Sequence, residues 1–76
     1  NARTRLQAVE EGMKLLKTGG VMSLCIYSGG DTGYEERDAL LAYLKGLDAR
    51  KWLVIVHSYY NRKNDPPLPV FVVRLA

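Results

Sequence analysis

Two short stretches concentrate the side chains that could do chemistry. In the first, Asp31, Glu35 and Glu36 accompany a glycine-rich run, Ser28-Gly29-Gly30-Asp31-Thr32-Gly33, where a helix is expected to begin. A helix N-terminus carries a partial positive charge that favours carboxylates, so with three acids present the run is a poor cradle for phosphate. A carboxylate there can instead orient an amine or take its proton. Glu35 can equally be the capping-box partner of Thr32, three residues earlier, with the other acids as first-turn charges. The glycines let backbone approach a flat ligand closely, or simply join strand to helix. In the second stretch, Tyr59, Tyr60, Asn61 and Asn64 combine aromatic faces with amide donors and acceptors. That set suits stacking on an unpaired base and reading its edge, and the adjacent Arg62 and Lys63 suit a nucleic-acid backbone. Tyrosine at a strand end is also an ordinary core-rim residue, and Asn and Pro are ordinary turn formers. Pro66 and Pro67 stiffen the turn and reduce the entropy lost when it closes on a ligand, an architectural role.

The remaining reactive residues read as structural. Cys25 lies in an apolar run with no cation or histidine near it in sequence to lower its pKa, so it is expected to be a buried packing residue. His57 is a lone histidine in a strand, read as structural rather than as a general base, and Trp52 reads as core or as an interdomain anchor. A single cysteine excludes an internal disulfide framework and a multi-cysteine zinc site, and it makes a reducing, cytoplasmic setting the expectation. No metal site is expected.

Periodicity supplies the elements that must position these groups. Leu6, Val9, Met13 and Leu16 recur on one helical face, giving an amphipathic helix over residues 3–17 that Gly19 and Gly20 stop. Val21 to Tyr27 is almost continuously apolar, as in a central strand covered on both faces of a parallel sheet. Leu40, Leu41, Leu44 and Leu47 give the second helix its buried stripe, closed by Asp48-Ala49-Arg50. A second strand opens at Trp52 and is expected to run through His57 and Ser58 to Tyr60, followed by a polar turn over 61–67. Pro69 lacks an N–H, so the third strand, Leu68 to Leu75, should start at a sheet margin or bulge. The order is helix, strand, helix, strand, strand: an α/β arrangement with a parallel crossover and an antiparallel final strand.

Seventy-six residues make one domain at most, and a domain of that size buries only about 60% of its unfolded surface. Three strands with helices leave much apolar sheet margin open, so more sheet is expected upstream or from a second chain. The first residue is Asn, in keeping with a piece of a longer chain, and no apolar run approaches the roughly 18 residues of a membrane span. The net charge of +3 is unevenly placed: residues 1–20 and 49–65 are basic, whereas residues 28–48 carry Asp31, Glu35, Glu36, Asp38 and Asp48 against Arg37 and Lys45. A pI near 9.2 permits nucleic-acid contact without requiring it.

Three local motifs then carry a resemblance. Leu15-Leu16-Lys17-Thr18-Gly19-Gly20 resembles the Leu-Lys-Pro-Gly-Gly turn before the fifth strand of class I S-adenosylmethionine-dependent methyltransferases. Tyr27-Ser-Gly-Gly-Asp-Thr-Gly-Tyr-Glu-Glu36 is similar to a Tyr-x-Gly-His-x-Gly-Gly-x-Glu-Glu segment, and Asn61-Arg-Lys-Asn-Asp-Pro-Pro67 to an Asn-x-x-Asn-x-Pro-Pro turn. Together they resemble the rRNA methylase family within that class, some of whose members methylate the aminomethyl group of a modified wobble uridine in tRNA. Thr18 stands where proline is usual, and Gly30 where histidine is frequent, so no imidazole role carries over.

The resemblance implies a Rossmann-like sheet of which residues 1–76 are the C-terminal half, in a single methyltransferase domain. The glycine-rich turn and acidic residue that hold the cofactor in that fold have no counterpart here, so the cofactor-binding half is expected upstream. S-adenosylmethionine is the implied cofactor and RNA, in particular tRNA, the implied partner. The acceptor pocket would take Tyr27, Ser28, Gly29, Gly30, Gly33, Tyr60, Asn61, Asn64, Pro66 and Pro67, with Asp31 and Glu35 orienting or deprotonating the amine, since only a neutral amine has a lone pair with which to attack the methyl carbon. A non-catalytic RNA-binding module using the same basic and aromatic loop, or a homo-oligomerisation element built on the strand edges, are the alternatives.

Overall fold

A computed structural model of the protein describes residues 2–28, 33–64 and 66–76, with the backbone alone for Ala2 and Arg3. The elements follow the expected order: α1 (Ala2–Lys14), β1 (Val21–Ile26), α2 (Gly33–Lys45), β2 (Trp52–Val56) and β3 (Leu68–Arg74). The strands form one sheet in the order β1-β3-β2, and β3 runs antiparallel to both neighbours. β1 and β2 are therefore parallel to each other, and the crossover through α2 passes over the strand between them.

Strand alternation divides the sheet into unlike faces. Met22, Leu24, Ile26, Val54, Val70 and Val72 point to one side, where they meet Val9 and Met13 of α1 and Leu40 and Leu44 of α2 in a single core. Val70 and Val72 are fully enclosed there because β3 is flanked on both edges and covered by the helices. On the opposite face Val21, Leu53, Ile55 and Phe71 remain exposed. The expectation that β1 is a central strand covered on both faces is thus corrected: within these residues it is an edge strand, paired only with β3, and its side chains alternate in exposure. Cys25 is likewise exposed rather than buried, because it lies on the uncovered face.

Local chemistry explains the element ends. α1 stops at Lys14, short of the expected residue 17, after tightened turns in which Leu15 and Leu16 N–H groups donate three residues back to the Gly12 and Met13 carbonyls at 3.2 and 3.1 Å. Gly19 does adopt a left-handed conformation (φ 84°), but beyond the helix end. Its N–H donates to the Arg74 carbonyl at 2.7 Å, and the Arg74 N–H donates to the Gly20 carbonyl at 3.0 Å. The glycine turn therefore stitches the start of β1 to the end of β3, and the Arg74 guanidinium adds a bond to the Leu16 carbonyl. After α2, the Asp48 carboxylate accepts from the Arg50 N–H at 2.9 Å and from its guanidinium, which hold it below the usual carboxylate range and turn the chain into β2.

Pro69 shows why β2 is shorter than expected. In an antiparallel ladder one residue's N–H and C=O point to the same neighbour. The Pro69 carbonyl accepts from the His57 N–H at 2.9 Å, so its missing donor also faces β2, just where that strand runs out. Although β3 is the middle strand rather than a margin, Pro69 falls at the end of its ladder. Residues 57–60 leave the sheet instead of extending it, and His57 packs its ring edgewise on Phe71, with centroids 5.4 Å apart.

Candidate functional site

The strand register puts both candidate loops at one end of the sheet. Ile26, the last residue of β1, lies opposite Leu68, and Val56, the last of β2, lies opposite Val70. The segment from Tyr27 to the N-terminus of α2 and the segment from His57 to Pro67 therefore both leave from the C-terminal ends of parallel strands. With β3 between them, their starting points are roughly 10 Å apart. Ligands of open α/β sheets bind outside the carboxyl ends of parallel strands.

The described residues on either side of the first loop's tip, Ser28 and Gly33, meet backbone to backbone. Gly33 is buried, and a Cβ built on it would lie 2.5 Å from the Ser28 carbonyl carbon and 2.7 Å from its oxygen. Glycine is required there by a backbone-to-backbone approach, which brings Ser28 and Gly33 together beside the exposed Tyr27. Gly33→Ala should cost about 1–3 kcal/mol, read as a lowered denaturant midpoint of the intact protein. An unchanged midpoint would mean that the closure is not structural. The candidates Gly29, Gly30 and Asp31, and the cap residue Thr32, lie outside the described residues.

The carboxylates at the start of α2 are not equivalent. Glu35 is exposed on the first turn. Glu36 is buried, and its Oε2 accepts from the Arg5 Nε at 2.9 Å, which ties α1 to the first turn of α2. The sequence reading clustered Glu36 with the other acids at the start of the helix and named only Asp31 and Glu35 for the amine, without assigning Glu36 a place in the core. The separating signal is present in the spacing, since Glu36, Leu40 and Leu44 are four residues apart and share the core-facing stripe.

In the second loop Tyr60 is fully exposed, and Asn61 and Pro67 are exposed as well. Asn64 has a left-handed backbone (φ 67°), so turn formation accounts for its presence at least as directly as recognition does. Asn64 and Pro66 also line a hollow of about 240 Å³ with Ser58, Tyr59, Arg62 and Arg37. Arg37 and Ser58 were not among the sequence candidates. Arg37 comes from a different element, and no local pattern joins it to this loop.

The described residues do not fit S-adenosylmethionine. β1 and β2 are followed by Tyr27 and His57 rather than by an acid able to grip a ribose diol, Gly33 lies against the Ser28 backbone with no room even for a Cβ, and the buried carboxylate of Glu36 is engaged by Arg5. Among the described residues no cluster of His, Cys, Asp and Glu could hold a metal ion, and no helix is long and apolar enough to cross a membrane.

Residues 1–73 match the model of the family described as "Putative rRNA methylase". The chain belongs to that family. Among curated proteins, the rRNA methylase chain is 35% identical over 65 residues to the chloroplastic tRNA (mnm(5)s(2)U34)-methyltransferase of Arabidopsis thaliana, an alignment covering 86% of this chain and 24% of that protein. Among solved structures, a protein of the family's own designation from Clostridium thermocellum superposes with a TM-score of 0.91 at 40% identity, covering 97% of this chain and 40% of the other. A Streptococcus mutans protein described as a methyltransferase, in complex with SAH, gives 0.89 at 31% identity, covering 99% and 41%. An rRNA methylase from Streptococcus thermophilus gives 0.85 at 32%, covering 100% and 42%. This chain therefore spans about a quarter of the curated relative and about two fifths of each solved one. Its three strands and two helices have the α/β fold of the corresponding part of those methyltransferases.

Proposed function

We propose that the chain is the acceptor-side, C-terminal half of an S-adenosylmethionine-dependent RNA methyltransferase that N-methylates an aminomethyl-modified wobble uridine of tRNA. The observation that carries this reading is the register, which sends the two motif-bearing loops from the same end of a sheet whose β1 margin has no neighbour among the described residues. The plant relative's designation as a tRNA methyltransferase acting on a modified U34 and the SAH in the Streptococcus mutans structure support it.

In this reading the upstream half pairs with the free edge of β1, covers the exposed face of the sheet and holds the cofactor, which supplies the methyl group. The residues of this chain shape the acceptor side. Tyr60 stacks on the base and Asn61 reads its edge, while the close approach of Ser28 and Gly33 forms a backbone wall beside Tyr27. Glu35, with Asp31 from the same loop, orients the acceptor amine and takes its proton. Oriented placement of the amine is where such a pocket gains most, because it replaces a bimolecular encounter with a held geometry. A tRNA-containing compartment follows, with the cytoplasm the simplest setting for a chain whose one thiol is free.

The direct test supplies the intact protein with labelled S-adenosylmethionine and, in parallel, tRNA carrying an aminomethylated wobble uridine, the same tRNA without that group, and ribosomal RNA. Label should enter only the first. Transfer to ribosomal RNA in preference, or to unmodified tRNA equally well, overturns the substrate; no transfer to any RNA overturns the activity.

A further inference from the structure

We propose that the open edge of β2, together with the apolar hollow beside it, is a docking site where an extended, acid-bearing segment of a partner protein adds a further strand to the sheet. The site takes a protein strand, so it stands whatever RNA the two loops accept. Backbone directions locate it. In an antiparallel ladder a residue's N–H and C=O point to the same side, and the side alternates along the strand. The His57 N–H donates to the Pro69 carbonyl at 2.9 Å and the Leu75 N–H to the Lys51 carbonyl at 2.7 Å, so residues 51, 53, 55 and 57 spend their backbone groups on β3. Val54 and Val56 therefore turn both groups outward, and Trp52 turns out its carbonyl while its N–H is held by the Asp48 carbonyl at 2.9 Å. Five consecutive apolar residues, Trp52 to Val56, carry this edge, with no proline or charge among them to deter a further strand.

Side chains supply the selectivity that backbone pairing lacks. A hollow of about 280 Å³ opens beside the edge, walled by Leu44, Leu47, Ala49, Trp52 and Val54, with Lys45 among its lining residues. A residue paired with Val54 projects to the same face of the sheet as Val54 itself, so its side chain meets the hollow, and an apolar one fits there. Lys45 at the hollow and Lys51 at the start of β2 are both exposed, whereas the nearby Asp48 carboxylate is taken up by Arg50 at 3.0 Å. The segment that fits is therefore apolar opposite Val54 and acidic at the end beside Lys51. A second copy of this chain fits less well. Antiparallel pairing of β2 with itself sets Lys51 across from residues 57–59 of the other copy, and residues 52–64 contain no acid to meet it. The β1 edge is the one given to the upstream half above, which leaves β2 as the outer margin of the sheet.

The test titrates the intact, isotopically labelled protein with the capped peptide Thr-Val-Thr-Leu-Thr-Glu-Glu and, in parallel, with its Thr-Val-Thr-Leu-Thr-Lys-Lys counterpart, following backbone amide resonances up to millimolar peptide. The acidic peptide should shift the Val54 and Val56 amides and slow their hydrogen exchange. It should also bind about three- to tenfold more tightly than the basic one, as two exposed ion pairs allow. Lys51→Glu should remove that preference. Val56→Pro deletes an outward N–H that the fold itself does not use and should abolish the shifts, with its melting temperature recorded. Methylating the leucine nitrogen of the peptide, which removes the donor opposite Val54, should do the same without altering the protein. Equal binding of the two peptides, or no shift at Val54 and Val56, overturns the proposal. Protection of those two amides in the intact protein alone also overturns it, because the protein's own upstream half then covers the edge. A dimer that becomes monomeric on Val56→Pro assigns the edge to a second copy and overturns it as well. None of these outcomes touches the RNA reading, which its own transfer assay decides.

Discussion

Phe71→Lys should lower the stability of the intact protein by about 3–5 kcal/mol, the range for a charge left buried without a partner. Phe71 sits on β3 in the face of the sheet that the helices leave open, 37% exposed, among Leu53, Ile55 and Val21, which are 45%, 42% and 56% exposed. A lysine there would be nearly neutral if that face met water in the whole protein, because surface substitutions usually change stability by no more than about 0.5 kcal/mol. If the upstream half covers the face, the ammonium is trapped in apolar surroundings with nothing to pair with it. Ala42→Lys, on the exposed side of α2, provides the comparison and should stay within that small margin. Equilibrium denaturation of both variants in the intact protein decides the matter. Equal midpoints would show that the open face remains in solvent, and the view of these residues as half of a larger domain would fail.

Asn61→Ala should reduce kcat/KM for the RNA by roughly 10- to 100-fold, the discrimination expected from one good bidentate contact to a base edge. The fold should be untouched, since Asn61 is exposed in the turn and lacks the left-handed backbone that makes Asn64 structurally demanding. The KM for S-adenosylmethionine should likewise be unaffected, because the cofactor is assigned to the other half. Turnover at the wild-type level would remove Asn61 from recognition and leave its motif as a turn. A matched fall in thermal stability would point to the same conclusion by another route. The variant therefore separates reading a base from shaping a loop, which inspection of Asn, Pro and Tyr alone cannot do.

Much of the architecture was legible in local patterns. The stripe of Leu40 and Leu44 is buried as its spacing demands, the leucine- and valine-rich runs are strands, and the final strand is antiparallel. The motifs in the two loops carried the family. Errors gathered where a distant partner decides the outcome. β1 looked central because its sequence is apolar on both faces, yet within these residues one face and one edge have nothing against them. β2 looked longer because Tyr59 and Tyr60 favour strands, but Pro69 on the neighbouring strand has no donor with which to continue the ladder. Cys25 was expected to be buried and lies on the open face.

What the sequence by itself determined is the set of elements and their order, since helix and strand periods are written in neighbouring residues. Only the tertiary structure decided that β3 inserts between β1 and β2, that Glu36 pairs with Arg5 while Glu35 stays open, and that Arg37 joins Arg62 and Lys63 around one hollow. Each of these joins residues far apart along the chain. Strand register and helix docking are selected by how whole faces pack and by which backbone donors find acceptors, quantities that no local stretch contains.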